Sequence, residues 1–481
     1  MNVVLIMGDQ HNPEFCGCYG GLTRTPNLDG LAHNGVMFRS AYCSYPMCAP
    51  SRASMFTGRY AHELGLWDNA TAYDGTLPDW GHHFRRHGLP VTRIGRLDFQ
   101  SGGAYGFEEL IDPVYRDSLD VTGLCRGDYL VRRGHMEKKM WEVRTRDAGV
   151  PLEPDNSTTD KAVAWVGKKQ PSDAPWLLEL GYYAPHPRWL PRPERLDWYR
   201  ARVGPLPAKY YQRFEQLNRV EQVQSYYSCG FTRGDEHLPE IHAAYHAMVE
   251  ELDEQIGRVL TALEERGLRQ DTAVVYTSDH GEMARAHGAW NKGSLYEDAI
   301  RVPLVISAPD WPRGAIDETP VSLIDVYPTI NEMLGLGGAV FSRGRSLGDT
   351  ARGMAKQEVA PFVFSECHMY PRITGSYAIR REEWKLIDYA DHQPMLFNLQ
   401  EDPQELNDLL ATEAHRAIVQ SRRDELLRCL YSICSVEAVD RRAVSDQQRR
   451  RRELESSGRM QEELRKRGFV WEEDRLIYVD E

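Results

Sequence analysis

Val3-Val4-Leu5-Ile6-Met7, running on through Gly8 into Asp9-Gln10, is the stretch on which the fold turns. Five consecutive apolar residues have the length of a strand buried on both faces, and the polar pair marks where the chain leaves the core. Similar short runs recur at Trp176-Leu177-Leu178-Glu179-Leu180, Ala273-Val274-Val275-Tyr276-Thr277 and Pro303-Leu304-Val305-Ile306. A long helix is expected over 238–266, where Ile241, Tyr245, Met248, Leu252, Ile256, Val259 and Leu263 fall three and four residues apart and Gly267 supplies a stop. Strand patterns alternating with helical ones predict an α/β fold: a large mixed, mostly parallel sheet sandwiched by helices.

Asp9-Gln10 and Ser278-Asp279-His280-Gly281 both follow predicted strands, where open α/β sheets bind ligands. A third stretch, Cys48-Ala49-Pro50-Ser51-Arg52 continuing through Thr57-Gly58-Arg59, reads as a helix start. Taken alone, Cys48 is a buried structural thiol in a turn. Arg52, four residues on, shares its helix face. Two carboxylates at strand ends, Asp9 and Asp279, suit a hard divalent cation. The His280 imidazole makes manganese plausible beside calcium. The competing reading of Asp279-His280 is a helix N-cap followed by a surface histidine.

The run from Cys48 to Arg59 resembles the signature of the formylglycine-dependent sulfatases, within the alkaline phosphatase-like superfamily. That resemblance implies that a formylglycine-generating enzyme oxidises Cys48 to an aldehyde, whose hydrate attacks sulfur and then expels sulfate. It implies one divalent metal ion (calcium or manganese) held by Asp9, Gln10, Asp279 and His280 with residue 48, and Arg52 supporting the hydrate. His186, in Tyr182-Tyr183-Ala184-Pro185-His186-Pro187, becomes a general acid or hydrogen-bond donor. Lys292, in Asn291-Lys292-Gly293-Ser294, neutralises the leaving oxygen. Gly95-Arg96-Leu97-Asp98 stands where the family carries Gly-Lys-x-His. Arg96 then clamps sulfate oxygens, and Asp98 orients Arg96 or binds a sugar hydroxyl. Asn69 falls where phosphonate hydrolases place a substrate-contacting asparagine.

Gln10 and His280 depart from the commoner aspartate and asparagine, and resemble the phosphonate monoester hydrolases. Residues 95–102, 159–165, 323–329 and 365–368 resemble the glucuronate 2-sulfatase branch, arylsulfatase K, with the likeness extending over residues 3–410. This implies a small sulfated substrate, a sulfated uronate or other saccharide, that loses a 2-O-sulfate. Arg188, Arg372 and His368 are candidate cations for its carboxylate. The alternatives are a phosphonate monoester or phosphodiester hydrolase on the same fold, and a non-catalytic metal-binding homologue.

The 481 residues have room for a catalytic domain over 1–355 and a smaller C-terminal α+β subdomain over 356–434, with a charged extension over 435–481. Phe362-Val363-Phe364, Tyr377-Ala378-Ile379, Trp384-Lys385-Leu386-Ile387 and Met395-Leu396-Phe397 read as antiparallel strands, and Glu401-Asp402-Pro403 as a helix start. A net charge of −13 argues against nucleic-acid binding, and no apolar stretch has the length of a membrane span. No secretory leader is visible, and nine scattered cysteines suit a reducing compartment, so a cytoplasmic location is expected. Cys16-Gly17-Cys18 lacks a second pair, so no zinc site is expected there. The extension, with its run from Arg449 to Arg452, reads first as a solvated helix or tail. The other reading is a lid or homo-oligomer arm, docking Phe469, Val470, Trp471, Leu476, Ile477 and Tyr478 on a neighbour.

Overall fold

The computed structural model describes residues 1–116, 119–131, 142–148, 150, 152–173, 175–228, 235–336, 341–354, 361–412 and 416–479. Its central sheet has eight strands. In spatial order they are Ala315–Asp317 (β10), Val36–Phe38 (β2), Leu304–Ser307 (β9), Thr272–Ser278 (β7), Asn2–Asp9 (β1), Leu177–Pro185 (β6), Val91–Arg96 (β4) and Glu109–Val114 (β5). The pairs β10–β2, β7–β1, β1–β6, β6–β4 and β4–β5 run parallel, whereas β9 is antiparallel to both β7 and β2. The sheet is therefore mixed and mostly parallel, as expected. A small patch joins Val321–Ser322 (β11), Ala41–Tyr42 (β3) and Arg301–Val302 (β8).

Alternation along β1 explains the two cores. Val3, Leu5 and Met7 enter one, packed against helices Cys48–Thr57 and Trp80–Arg86. Val4 and Ile6 enter the other, against helices Pro26–His33 and Asp155–Val166. Each such side chain, fully buried, contributes about 1.5–3 kcal/mol. Helix Leu238–Glu265 serves both cores, the first through Ile241, Tyr245 and Met248 and the second through Leu252, Ile256, Val259 and Leu263. Because β1, β4, β6 and β7 are parallel, their carboxyl ends lie along one edge. That edge carries Asp9, Arg96, His186 and Asp279.

The smaller subdomain is an antiparallel meander of Phe362–Cys367 (β12), Ser376–Arg381 (β13), Trp384–Tyr389 (β14) and Met395–Asn398 (β15). Helix Arg416–Ile433 packs on it through Val419, Leu426 and Leu430. The expected helix start at Glu401 is absent. The segment turns instead, with a left-handed Glu405 (φ 52°) whose carboxylate is drawn 2.8 Å from the buried Lys385 Nζ. The domain boundary expected at 355/356 and Cys229 lie outside the described residues.

Residues 436–478 are not a solvated tail. Helices Val436–Ser456 and Arg459–Arg465 and the hairpin Phe469–Glu472 (β16) and Arg475–Tyr478 (β17) fold back on the chain's own body. Leu454, Met460, Leu464, Phe469 and Leu476 share a core with Val121, Leu124, Val223, Tyr227 and Tyr370. Phe469 and Leu476 dock as the second reading expected, though on the chain's own body, whereas the first helix shows little of its core face because it buries only Val436, Ala443, Gln447 and Leu454 among 21 residues. Arg451 of the arginine run lies over the Trp471 ring at 4.6 Å. Among the described residues no helix is long and apolar enough to cross a membrane.

Candidate active site

Cys48 is the first residue of helix Cys48–Thr57, fully buried, where unsatisfied backbone N–H groups favour negative charge. Its Sγ lies 3.1 Å from Lys292 Nζ, 3.3 Å from His280 Nε2 and 3.9 Å from Asp9 Oδ1. Burial and Asp9 push the thiol up, but Lys292 and His280 outweigh them and bring it below its ordinary value.

Arg52 sits one helical turn on and is completely buried. Its Nε meets Asp279 Oδ2 at 2.9 Å, its Nη2 meets Asp9 Oδ2 at 3.3 Å, and its Nη1 donates to the Arg96 carbonyl at 3.2 Å. One guanidinium thus ties together the ends of three strands. With both Oδ2 atoms occupied, Asp9 Oδ1 faces Cys48, while Asp279 Oδ1 accepts the backbone N–H groups of Gln10 at 3.1 Å and His280 at 3.0 Å. Asp9 Oδ1, Asp279 Oδ1, His280 Nε2 and Cys48 Sγ form a four-donor cluster. His280 Nδ1 donates to the Gly281 carbonyl at 3.0 Å, so Nε2 is the ring nitrogen turned inward.

Gln10 is held in a left-handed conformation (φ 66°). Its amide oxygen accepts from Lys292 Nζ at 2.6 Å, and its amide nitrogen donates to Glu282. Asp98 (φ 61°) and Asn291 (φ 65°) are strained in the same way. Left-handed non-glycine residues cost about 1–3 kcal/mol each and gather at functional sites. Gly95, at φ 83°, could not be replaced cheaply, since a Cβ there would lie 2.5 Å from the Gly181 carbonyl.

Arg96 Nη2 contacts Asp9 Oδ2 at 2.9 Å, its Nε contacts Asp98 Oδ2 at 2.7 Å, and its guanidinium lies over the Tyr183 ring at 4.2 Å. Asp98 also receives Arg116 Nη2 at 2.8 Å. Burial opposes ionisation of Asp9, yet the cations Arg96, Lys292 and Arg52 hold its carboxyl well below the usual range. In Asp98, Arg116 and Arg96 overcome burial in the same direction. His186 Nδ1 donates to the Pro187 carbonyl at 2.5 Å, and burial with the nearby Lys292 drives the ring far below its ordinary pKa. The ring is therefore neutral, with its Nδ1 proton committed to the Pro187 carbonyl.

Cys48, Asn69, His186 and Lys292 line one cavity of about 200 Å³, together with Arg116, Gln224, Tyr227 and Trp290. Asn69 Oδ1 accepts from the Ala49 N–H at 3.2 Å, anchoring the first turn of the cysteine helix. A neighbouring cavity of about 570 Å³ is lined by Arg96, Asp98, Arg116, Tyr183, His186 and the exposed Arg188.

Two expected substrate contacts lie elsewhere. His368 is sealed in, its Nε2 2.9 Å from Glu366 Oε2. Arg372 is buried with both terminal nitrogens on Glu221 and its Nε on the Gly293 carbonyl at 2.7 Å. Arg372 thereby buttresses the loop that carries Lys292, and neither side chain lines the cavity around Cys48. Sequence reasoning missed Arg116, Tyr183, Glu221 and Glu282. Only Glu282 had a local signal, standing two residues after His280; burial raises its carboxyl to about 7.

A sulfatase family model matches residues 1–336, and a model described as N-sulphoglucosamine sulphohydrolase, C-terminal, matches residues 285–431. Arylsulfatase K of Bos taurus is 30% identical over 464 residues, spanning 91% of this chain and 83% of that protein. The phosphonate monoester hydrolase of Agrobacterium radiobacter superposes with a TM-score of 0.73 at 22% identity, covering 100% of both chains. BT4656, in complex with its substrate D-glucosamine-2-N,6-O-disulfate, superposes with a TM-score of 0.73 at 22% identity, covering 90% of this chain and 97% of that one. With the matched model spanning most of the chain and a strand-edge cluster around Cys48 behind it, this protein belongs to the sulfatase family and is a hydrolase of sulfate esters.

Proposed function

We propose that the chain removes a 2-O-sulfate from a uronic acid or a related sulfated carbohydrate, using a formylglycine made from Cys48 and one divalent metal ion. The observation that carries the reading is the position of Cys48 Sγ, 3.1 Å from Lys292 Nζ and 3.3 Å from His280 Nε2 beside two buried carboxylates.

The donor set fits a divalent ion. Asp9 and Asp279 bring hard carboxylate oxygens at rigid strand ends, Gln10 adds an amide oxygen in reach of Lys292, and His280 turns its Nε2 inward, orientated by its Gly281 bond, where it binds an ion once deprotonated. When bound, such an ion lowers the pKa of a coordinated hydroxyl and offsets charge on the sulfate. A formylglycine at position 48 supplies, as its hydrate, one hydroxyl to attack sulfur and a second to regenerate the aldehyde.

The remaining work falls to the chain's own groups. Arg96, fixed by Asp98 and by Tyr183, presents a cation to the sulfate oxygens. Lys292 is the ammonium within reach of position 48 and stabilises the departing oxygen. His186, its ring fixed by the Pro187 carbonyl, stands in the same cavity and meets the ester oxygen there. Arg52 contacts no open space; it holds Asp9 and Asp279 in register.

A screen of defined sulfated mono- and disaccharides, including 2-O-sulfated uronates, with sulfate release as readout, tests the reading. Gln10 and His280 favour a second reading, hydrolysis of phosphonate monoesters or phosphodiesters with the same nucleophile. Relative turnover of 4-nitrophenyl sulfate and a phosphonate monoester separates the two.

A further inference from the structure

A uronate substrate brings two anions, and the cations described so far answer only the sulfate. Of the groups that the sequence pointed to for the carboxylate, Arg372 is spent on Glu221, His368 is sealed against Glu366, and Arg188 stands exposed on the larger cavity alone.

Arg116, just past β5, is placed differently. It lines the 200 Å³ cavity with Cys48, Asn69 and Lys292, the 570 Å³ cavity with Arg96 and Tyr183, and a third cavity bounded by Trp67 and Tyr73. Its side chain keeps 17% of its exposure, against 5% for Arg96 and none for Arg52, so it is the outermost guanidinium of the three that gather on Asp98.

Asp98 does not need it for neutrality. That carboxylate already has Arg96 Nε at 2.7 Å and Arg52 Nε at 3.5 Å. Arg116 Nη2 lies 2.8 Å from Asp98 Oδ1 as an ion pair, yet neither Nη2 nor the buried Nε makes a hydrogen bond among the described residues. A buried donor left unsatisfied is costly, and a guanidinium fork matches a carboxylate in geometry and charge. Asp120 faces the same small cavity, but Arg467 Nε lies 3.4 Å from it and answers its charge.

We propose that Arg116 forms a carboxylate subsite beside the reaction centre, reading the acid group of the sugar whose sulfate is removed. The subsite rests on the uronate reading above and gives it a residue.

The test compares kcat/KM for a 2-O-sulfated glucuronate, its C6 carboxamide and 4-nitrophenyl sulfate in the wild-type protein, R116K and R116Q. In the wild type, changing carboxylate to carboxamide lowers kcat/KM by about 10- to 100-fold, the range for a charged hydrogen bond. In R116Q the acid and the amide converge, and R116K falls between. If R116Q depresses both equally and keeps the wild-type ratio, Arg116 acts only through Asp98 and the subsite is wrong. If R116Q does not fold, the wild-type comparison still decides, since an amide cleaved as fast as the acid overturns the subsite. The uronate reading fails in a different way: the wild type then cleaves 4-nitrophenyl sulfate but neither 2-O-sulfated sugar, which removes the subsite as well.

Discussion

Lys292 Nζ lies 3.1 Å from Cys48 Sγ while donating to Gln10 Oε1 at 2.6 Å. One ammonium thus links the position of the nucleophile to the first strand end. Its loop is pinned from outside by Arg372 on the Gly293 carbonyl, and Gln224 Nε2 donates to the Lys292 carbonyl at 2.9 Å. Replacing Lys292 by Ala removes a preorganised donor and lowers kcat by about 10²–10³-fold, with a smaller change in KM. Steady-state kinetics on 4-nitrophenyl sulfate measure this, and a loss confined to KM would count against a role at the leaving oxygen.

The four-donor cluster of Asp9, Cys48, Asp279 and His280 predicts one bound divalent ion per chain. Elemental analysis of protein dialysed without chelator checks the stoichiometry, and Asp279→Asn should abolish it. Removing the ion with EDTA should lower the melting temperature, since a ligand held at 100 times its Kd contributes about 2.7 kcal/mol. An unchanged melting temperature together with full activity in EDTA would contradict a structural and catalytic ion.

Glu366 joins the subdomain to the catalytic body. It accepts from the His62 backbone N–H and ring Nδ1, each at 2.9 Å, and from His368 Nε2 at 2.9 Å. Burial opposes its ionisation, but His62 and His368 bring its pKa from 4.5 down to about 2. A depressed carboxyl contributes stability that is present above its unfolded pKa and lost as the pH falls through the folded one, here between about 4.5 and 2. His62 is raised above 6.5, against burial, by Glu366. Its contribution is full below 6.5 and lost as the pH rises through the raised value. Urea unfolding should therefore show the difference between wild type and Glu366→Gln largest near pH 5.5 and smaller at pH 3 and pH 8. A difference independent of pH would refute the linkage.

The extension after residue 435 acts as a wall, and Phe469 is its anchor. Fully buried among Tyr227, Leu464 and Leu476, it closes the core behind the small cavity. Phe469→Ala should cost about 3–5 kcal/mol if the core cannot collapse around the gap. A denaturation midpoint unchanged from wild type would mean that the extension leaves the body readily in solution.

Strand ends and helix starts were legible because they depend on local pattern. Val3–Met7 and Ala273–Thr277 announce buried strands, and the polar residues that follow them fall on the sheet edge where Asp9 and Asp279 now meet Arg52. The direction of β9 was not legible, since its apolar run reads the same either way. Nor were the long-range pairings. Arg372 resembles a free cation until Glu221, 151 residues away, is seen to occupy it. Arg116 follows a half-exposed strand with no motif around it and acquires meaning only from Asp98 and the cavities. In the extension Phe469 and Leu476 were legible as docking residues, but Leu454 is hidden among charges because its helix is amphipathic with a narrow buried stripe.

The account turns on the chemical state of Cys48. The peptide released by trypsin between Arg39 and Arg52 carries both Cys43 and Cys48, so fragment-ion mass spectrometry can compare a buried thiol beside the site with the one inside it. Active protein should show Cys43 intact and residue 48 with its sulfur replaced by an aldehyde oxygen. Full activity from a preparation in which Cys48 keeps its thiol would contradict the central claim.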